Sequence, residues 1–189
     1  MARPRSEDKR IALLESATAE VAVHGLGAPT ARIAKQAGVA EGTLFRYFPT
    51  KDELLNELYL HIKQKSAAAV AKKYVADAPL RYRAQALWDG YIDWGIANPE
   101  ASRALNQLTA SGVVTQATRA KCLDTFPEPG IATGLSDSAA FSRLPAAFAD
   151  ALFLALAGTT MEFASRHPDD TETYKASGFV ALWAMYGYP

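Results

Sequence analysis

The 25 residues from Thr30 to Leu54 constrain the fold of this chain more than any other segment, because they have the pattern of two short helices joined by a tight turn. In the first helix, apolar residues recur at helical spacing at Ile33, Ala34 and Ala37. The hydroxyl of Thr30 is expected to cap this helix at its N-terminus. Gly38 is expected to end it, because glycine adopts the left-handed backbone conformation at little cost.

The second helix is predicted to open with Ala40, Glu41 and Gly42, and small residues there would let backbone N–H groups approach a phosphate. Leu44 and Phe48 lie four residues apart and are expected to pack inward. The side chains left for the outer face are Thr43, Phe45, Arg46 and Tyr47.

A third helix is predicted directly after Pro49, which cannot continue the second one. Thr50 and Glu53 have the spacing of a capping box, in which a threonine hydroxyl accepts a hydrogen bond from the backbone three residues on. No helix breaker follows until about Asp77, so the third helix would be long enough to join two domains rigidly.

Two short helices and a turn are also compatible with a plain helical hairpin inside a larger bundle. The complete pattern over residues 8–57, however, resembles the TetR family of bacterial repressors. The matching elements are Ile33-Ala34, Ala37-Gly38-Val39, Gly42-Thr43-Leu44-Phe45, Tyr47-Phe48 and Lys51-Asp52-Glu53-Leu54-Leu55. The chain departs from the family at Phe45, where members usually have a tyrosine whose hydroxyl can bond a phosphate. Phe45 could instead contact the methyl group of a thymine.

The resemblance implies a helix-turn-helix that binds double-stranded DNA, with contacts carried over position by position to Thr30, Glu41, Gly42, Thr43, Phe45, Arg46, Tyr47 and Lys51. Thr43 and Arg46 are expected at base edges, whereas Tyr47 and Lys51 are expected at phosphates. Arg46 could also be a solvated surface charge, and Glu41 could serve only as a favourable charge at a helix N-terminus. Four basic residues near the start of the chain form a basic arm, which is either a minor-groove contact or a solubilising tail: Arg3, Arg5, Lys9 and Arg10.

Charge is distributed unevenly along a chain that is neutral as a whole. Residues 1–51 contain eight basic and five acidic residues, so they have a net charge of +3, and the remainder has −3. A lone cysteine, Cys122, allows no disulfide within the chain and fits a reducing cytoplasm, although a redox role is an alternative. The first ten residues lack the apolar core of a signal peptide, and the most apolar stretch, residues 146–161, is too short to cross a bilayer.

No segment shows sustained alternation of apolar and polar residues, so the sequence predicts an all-α protein of about nine helices. A three-helix DNA-binding domain over residues 1–50 would be followed by a helical bundle over residues 51–189 for effector binding and dimerisation. The expected helices cover about 6–24, the two motif helices, 51–77, 80–97, 99–110, 113–126, 145–165 and 172–186, with an irregular loop at 127–137.

In the family the second domain encloses a small-molecule cavity, and the aromatic and aliphatic residues of this half are candidates for its lining. They are Tyr74, Tyr82, Trp88, Tyr91, Trp94, Leu105, Leu108, Phe126, Phe148, Leu152, Met161 and Phe163. Most of them could equally be core. Asp89 and Asp93 lie four apart on one helix, where a buried carboxylate would favour a cationic effector and a solvated pair would mean little.

The last two helices are more apolar than a small single-chain domain needs, so they are predicted to form a homodimer interface. The residues assigned to it are Phe153, Leu156, Thr160, Phe179, Val180, Trp183 and Tyr186. Small residues at Ala157, Gly158, Ala176 and Gly178 would permit close helix approach. A dimer would present two recognition helices to a roughly palindromic operator.

No catalytic constellation is present, and His24, His61 and His167 lie on different predicted elements without metal-ligand spacing. We therefore expect neither a cofactor nor a metal, and no enzyme. The resemblance implies a cytoplasmic, ligand-responsive transcriptional regulator, usually a repressor, that a small and largely apolar or aromatic effector releases from DNA. The alternative is a helical ligand-binding or scaffolding protein without sequence-specific DNA binding.

Overall fold

The computed structural model describes residues 6–75, 77–124 and 146–185, and within these ranges the chain forms nine α-helices and no strand. The helices are α1 (Glu7–His24), α2 (Thr30–Gln36), α3 (Glu41–Tyr47), α4 (Lys51–Ala71), α5 (Leu80–Ala97), α6 (Pro99–Ala110), α7 (Gln116–Asp124), α8 (Ala146–Arg166) and α9 (Thr171–Met185). Short 3₁₀ turns at Gly25–Gly27 and Pro168–Asp170 follow α1 and precede α9. The predicted all-α class is confirmed.

The chain divides into two compact units, each made of two stretches of sequence. The first unit contains Met1–Lys63 and Glu100–Arg119, and the second contains Gln64–Pro99 and Ala120–Pro189. Helix α4 begins in the first unit and ends in the second, whereas α6 belongs to the first unit although it follows α5 in sequence.

The core of the first unit consists of apolar side chains from α1, α2, α3, α4 and α6. Its fully buried members include Leu13, Leu14, Ala17, Val21, Ile33, Leu44, Leu54, Leu58, Ala104, Leu105 and Leu108. Burial of a leucine- or isoleucine-sized side chain contributes about 1.5–3 kcal/mol relative to exposure. This core therefore fixes the short helices α2 and α3, which would be too short to be stable alone.

The segment between α6 and α7 is attached to α4 by the side chain of Asn56. Its amide Nδ2 donates to the carbonyl oxygen of Val113 (3.1 Å), and its Oδ1 accepts from the backbone N–H of Thr115 (3.0 Å). The hydroxyl of Thr115 accepts from the N–H of Thr118 (3.1 Å) and so caps α7. The prediction that this helix begins at Val113 is wrong, because α7 begins at Gln116, after a bend at Val114 whose two neighbours bond to the Asn56 side chain.

The second unit packs α5 against α8 and α9 around Trp88, which is fully buried. The Trp88 ring lies edge-on to Phe153, with centroids 5.8 Å apart, and its Nε1 donates to the carbonyl oxygen of Lys175 (2.9 Å). Gly178 lies against this ring, because a Cβ there would be 2.5 Å from Trp88 Cζ2 and 2.6 Å from Thr160 Oγ1. The close approach of α9 to α5 and α8 thus requires glycine at this position.

Two further expectations about helix ends need correction. Helix α4 ends at Ala71 and not near Asp77, because the backbone N–H groups of Lys73 and Tyr74 bond three residues back, to Val70 and Ala71, and the α-helical pattern stops there. Thr30 does not cap α2; it is the first residue of that helix, and its hydroxyl bonds to Glu41. The other predicted helices that the structure describes agree with it to within two residues, and the loop predicted at 127–137 lies outside the described residues. In the described ranges, no helix combines the length and apolarity that a membrane span requires.

Candidate functional site

Helices α2 and α3 and the turn between them form a compact helix-turn-helix whose geometry depends on Gly38. Gly38 has a φ of +70°, in the left-handed region that favours glycine. The turn is closed by the backbone N–H of Val39, which donates to the carbonyl oxygen of Ala34 (2.9 Å). Leu44 and Phe48 are buried, as predicted, so α3 is oriented by its inner face and presents the opposite one to solvent.

The outer face of α3 contains the side chains expected to contact base pairs. Phe45 is 39% exposed, Arg46 is exposed and Thr43 is half-buried. Among the residues that the structure describes, no hydrogen bond or ion pair occupies the Arg46 guanidinium. An exposed, uncommitted arginine beside an exposed aromatic ring is suited to a base edge in a major groove.

The C-terminal end of α3 is joined to the start of α1 through Tyr47. The backbone N–H of Ser6 donates to the Tyr47 hydroxyl oxygen (2.9 Å), which leaves the hydroxyl proton available to a phosphate. Ser6, just before α1, therefore lies next to the C-terminal end of α3. Arg3 and Arg5 of the predicted basic arm lie outside the described residues, and Lys9 is exposed on α1.

The starts of α2 and α3 are connected by a hydrogen bond that the sequence did not indicate. The Thr30 hydroxyl donates to Glu41 Oε1 at 2.6 Å, and both residues are among the expected DNA contacts. The bond orients the two helix N-termini relative to each other. It also places the Glu41 carboxylate at the first residue of α3, where a negative charge is favourable.

Gly42 is exposed on the first turn of α3, and nothing in the part of the chain that the structure describes explains its missing side chain. A Cβ built there meets no atom within 4 Å, and its φ is not in the left-handed region. Neither packing nor backbone conformation therefore requires glycine. A glycine of this kind suits the close approach of an external group to backbone N–H donors.

Several basic residues near the motif hold the helices together. Arg32 on α2 pairs with Glu20 on α1 (Nε–Oε2 3.1 Å). Arg10 on α1 pairs with Glu57 on α4, and its guanidinium lies 5.9 Å from the centroid of the Phe48 ring. Lys51 is half-buried at the first residue of α4, where the capping bond from Glu53 N–H to the Thr50 hydroxyl (3.1 Å) is confirmed. Arg10 and Arg32 are thus structural cations rather than free ones.

The predicted ligand-lining residues are distributed over both units. Trp88, Tyr91, Trp94 and Met161 are buried in the second unit, where the Tyr91 ring lies 5.2 Å from that of Phe153. Tyr74 and Leu152 are half-buried, whereas Tyr82, Phe148 and Phe163 are exposed. Leu105 and Leu108 are buried in the first unit, and Phe126 lies outside the described residues.

A cluster of five charged residues lies between α4, α5 and α9 and includes one that sequence reasoning missed. Lys175 is only 5% exposed, and its Nζ pairs with Asp93 (2.8 Å) and Glu172 (3.0 Å). Asp93 also pairs with Lys73 (2.6 Å). Asp89, one turn before Asp93, is half-buried and belongs to the same cluster. A lysine on an otherwise apolar helix gave no signal in the sequence that it would be buried.

These contacts shift the pKa values of the cluster in different directions. Burial would raise the pKa of Asp93, but hydrogen bonds from Lys175 and Lys73 outweigh it and hold that pKa below its ordinary value. Burial would lower the pKa of Lys175, but its hydrogen bonds to Asp93 and Glu172 raise it. Burial raises the pKa of Asp89, with Lys175 opposing and Asp93 and Glu172 reinforcing that shift. The two lysines thus outweigh the cost of burying the charge of Asp93, whereas they do not outweigh it for Asp89.

The residues assigned to a dimer interface differ in their exposure within one chain. Val180 is 61% exposed, and Phe153, Leu156 and Trp183 are half-buried. Thr160 and Phe179 are buried, and Phe179 stacks on Trp183 with ring centroids 5.9 Å apart. Tyr186 lies outside the described residues.

No group of three or more histidine, cysteine, aspartate or glutamate side chains in the described ranges could hold a metal ion. His61 instead pairs with Glu15 at 2.9 Å, and His24 lies 3.6 Å from Glu20. Cys122 is a buried free thiol.

Comparison with known proteins agrees with the helix-turn-helix geometry. Residues 13–58 match the family model described as bacterial regulatory proteins, tetR family. Nucleoid occlusion factor SlmA of Haemophilus influenzae is 30% identical over 76 residues, which cover 40% of this chain and only 35% of that protein. The match thus spans only about a third of the length of SlmA.

Solved structures extend the likeness to almost the whole chain. A protein from Shewanella sp. PV-4 assigned to the tetR family of transcription regulators has a TM-score of 0.75 and 26% identity, over 95% of this chain and 97% of that one. FadR of Bacillus subtilis, solved with stearoyl-CoA, has a TM-score of 0.65 and 16% identity, over 92% and 97% of the two chains.

The helix-turn-helix and the fold are those of a TetR-type transcription regulator, because residues 13–58 match the tetR family model and the chain as a whole is similar in fold to solved proteins assigned to that family.

Proposed function

We propose that this protein is a homodimeric transcriptional repressor of the cytoplasm that a small-molecule effector releases from a palindromic operator. Residues 1–50 would bind DNA, and residues 51–189 would bind the effector and dimerise. The observation that carries the proposal is the exposed face of α3. It combines an uncommitted Arg46 in the last turn with a glycine, Gly42, in the first turn that the fold itself does not need.

The proposed DNA contacts divide into two kinds. Thr43, Phe45 and Arg46 lie on the outer face of α3 and would contact base edges. Phosphate contacts would come from both helix starts and from the α3–α4 junction, and they comprise Thr30, Glu41, Gly42, Tyr47 and Lys51. The Thr30–Glu41 hydrogen bond fixes the two helix N-termini relative to each other and uses the Thr30 hydroxyl proton, so phosphate contacts at Thr30 and Glu41 would be made by their backbone N–H groups.

Dimerisation is proposed through α8 and α9. Val180 and Phe163 present exposed apolar surface on these helices, and Leu156 and Trp183 are half-buried. The buried Thr160 and Phe179 would support that surface from within the chain. Two copies of α3 about 34–36 Å apart would then contact two half-sites one DNA turn apart.

Effector control requires a ligand that prefers the conformation unable to bind DNA. FadR of Bacillus subtilis, which is similar in fold, is solved with stearoyl-CoA, so a protein of this fold can bind a ligand that has a long apolar chain. In this chain the effector would contact the second unit, where Trp88, Tyr91, Trp94, Leu152 and Met161 supply aromatic and aliphatic surface.

The experiment that tests the proposal is selection of bound duplexes from a random DNA pool at near-physiological salt. We expect an enriched palindrome and an Arg46→Ala variant that loses about 1–3 kcal/mol of specific binding per half-site while it stays folded. Arg103→Ala is the matched control, because Arg103 is an exposed arginine on α6 of the same unit. A folded dimer that enriches no sequence, or that tolerates Arg46→Ala, would refute the proposal in favour of a scaffolding or ligand-binding role.

A further inference from the structure

A groove on the second unit begins at the charged cluster of Lys73, Asp89, Asp93, Glu172 and Lys175. This part has a volume of about 510 Å³ and is also lined by Gln85, Ala86 and Tyr82. A second cavity of about 460 Å³ shares Lys73, Tyr82 and Ala86 as a common wall. Each volume lies within the range of small-molecule sites, roughly 300–1,000 Å³.

The two ends of the groove differ in chemistry. The second cavity is bounded by Val75, Ala78 and Pro79 in the segment that joins α4 to α5, so its wall is apolar apart from the Lys73 ammonium and the Tyr82 hydroxyl. The first cavity is bounded by charged side chains. A ligand that occupies both must therefore combine an ionic head with an apolar body.

The charge balance decides the sign of that head. Three carboxylates and two ammonium groups line the first cavity, so its net charge is −1 at neutral pH. Asp93 has both lysines as partners, and Glu172 has Lys175. Within the described part of the chain, Asp89 forms no hydrogen bond or ion pair. Of the three carboxylates, Asp89 is thus the one that can pair with an incoming cation.

An exposed aromatic ring lines the same cavity as this carboxylate. Tyr82 is 67% exposed, and it lines both cavities. Tyr82 precedes Asp89 by about two helical turns on α5, so its ring is placed to contact the body of a ligand whose ammonium group pairs with Asp89. The face of an aromatic ring is compatible with a cationic ligand because its quadrupole is negative there.

We propose that this groove binds an organic monocation, with the ammonium group paired to Asp89 and the apolar body lying along Tyr82 towards Val75, Ala78 and Pro79. This groove is a site separate from the Trp88, Tyr91 and Trp94 surface proposed for the effector above, and a regulatory role for it would rest on the proposed function. A bound cation would favour ionised Asp89, whose pKa is raised by burial and also by Asp93 and Glu172 while Lys175 and Lys73 oppose the shift. Cation binding should therefore lower the pKa of Asp89 and strengthen as the pH rises through it.

The competing explanation is that the cluster only joins α9 to α5. The pairs of Asp93 with Lys175 and Lys73 fulfil that purpose without Asp89 and without an exposed Tyr82. A purely structural cluster predicts no ligand selectivity, so binding measurements separate the two explanations.

The test is a titration of the full-length protein, followed by NMR chemical shifts or calorimetry, with phenethylammonium and hexylammonium as probes. Phenylacetate and 2-phenylethanol are the anionic and neutral comparators. We expect both ammonium ions to bind with Kd of about 1–10 mM, as suits ligands this small. The comparators should bind at least about 10-fold more weakly.

Variants locate the site. Asp89→Asn should weaken ammonium binding roughly 10-fold, in line with one charge-assisted hydrogen bond. Tyr82→Ala should weaken it about 2- to 5-fold, and its exposed position protects the fold. Asp169→Asn, on the exposed turn before α9, is the charge-matched control and should leave binding unchanged. Equal binding of phenylacetate, no loss in Asp89→Asn, or no ammonium binding up to about 10 mM would each overturn the proposal.

Operator binding is measured separately on the same samples, so failures of the two proposals can be told apart. Selective ammonium binding by a protein that recognises no operator would leave the site standing and remove the regulatory function. Operator recognition without ammonium binding would support the regulatory function and refute the ammonium site.

Discussion

Replacing Gly42 by alanine should make the protein slightly more stable and much weaker as a DNA binder. A Cβ at this position meets no atom within 4 Å, so the substitution has no steric cost in the free protein. Alanine is favoured over glycine by about 0.5–1 kcal/mol inside a helix, and Gly42 lies in the first turn of α3, where the gain is at the lower end. We expect the free energy of unfolding to rise by up to about 0.5 kcal/mol.

The effect on DNA binding should have the opposite sign. The new methyl group would occupy the space through which a phosphate approaches the backbone N–H groups at the start of α3. Loss of one hydrogen bond to a charged group costs about 1.5–3 kcal/mol, and a dimer contains two such positions. The Gly42→Ala dimer should therefore bind its operator at least about 100-fold more weakly.

Thermal unfolding and fluorescence anisotropy with labelled duplexes measure the two effects. Because alanine is uncharged, the slope of log K against log salt concentration should stay unchanged, and so should the preference between operator and altered sequences. Gly27→Ala is the matched control, since Gly27 is also exposed with open space around its Cβ but lies away from α3. Wild-type affinity in a stable Gly42→Ala protein would refute the close-approach argument.

Four further predictions concern the packing and the charges. Asp93→Asn should cost about 1–3 kcal/mol at neutral pH, because it removes a partner from a buried lysine. Since the pKa of Asp93 is lowered by folding, its contribution is present above the unfolded-state pKa and should be lost as the pH falls through the folded-state pKa in acid unfolding curves. Asp89→Asn should be neutral or stabilising above the raised pKa of Asp89, because ionising that half-buried group opposes folding. Gly178→Ala should destabilise by at least about 1–3 kcal/mol in urea unfolding, because its Cβ would meet the rigid Trp88 ring at 2.5 Å. Lys51→Ala should reduce the salt slope of DNA binding by about 0.9 per lysine, with sequence preference unchanged.

The helix-turn-helix could be predicted from sequence because its determinants are local. Glycine at a positive φ, the inward pair Leu44 and Phe48, and the Thr50 cap each depend on residues no more than four apart. Periodicity and capping rules capture interactions at this range.

The predictions that failed involve partners distant in sequence. Thr30 bonds to a carboxylate 11 residues away and does not cap its own helix. The start of α7 is displaced by Asn56, which is 59 residues from Thr115. Likewise, Lys175 is buried because Asp93 on another helix neutralises it, and a local pattern cannot distinguish such a lysine from a solvated one.

The discontinuity of the first unit limits how this regulator can be divided or recombined. Its helix-turn-helix shares a core with α6, which the chain reaches only after it has passed through α5 in the second unit. A fragment that ends at Lys63 would keep every proposed DNA contact but expose the surfaces that Ala104, Leu105 and Leu108 cover. It would also lose the segment that Asn56 holds. A chimaera that takes its second unit from another protein of this fold should therefore fold when Glu100–Arg119 stays with the helix-turn-helix of the same chain. A chimaera joined by a single cut in α4 should not fold, because it separates the two stretches of the first unit.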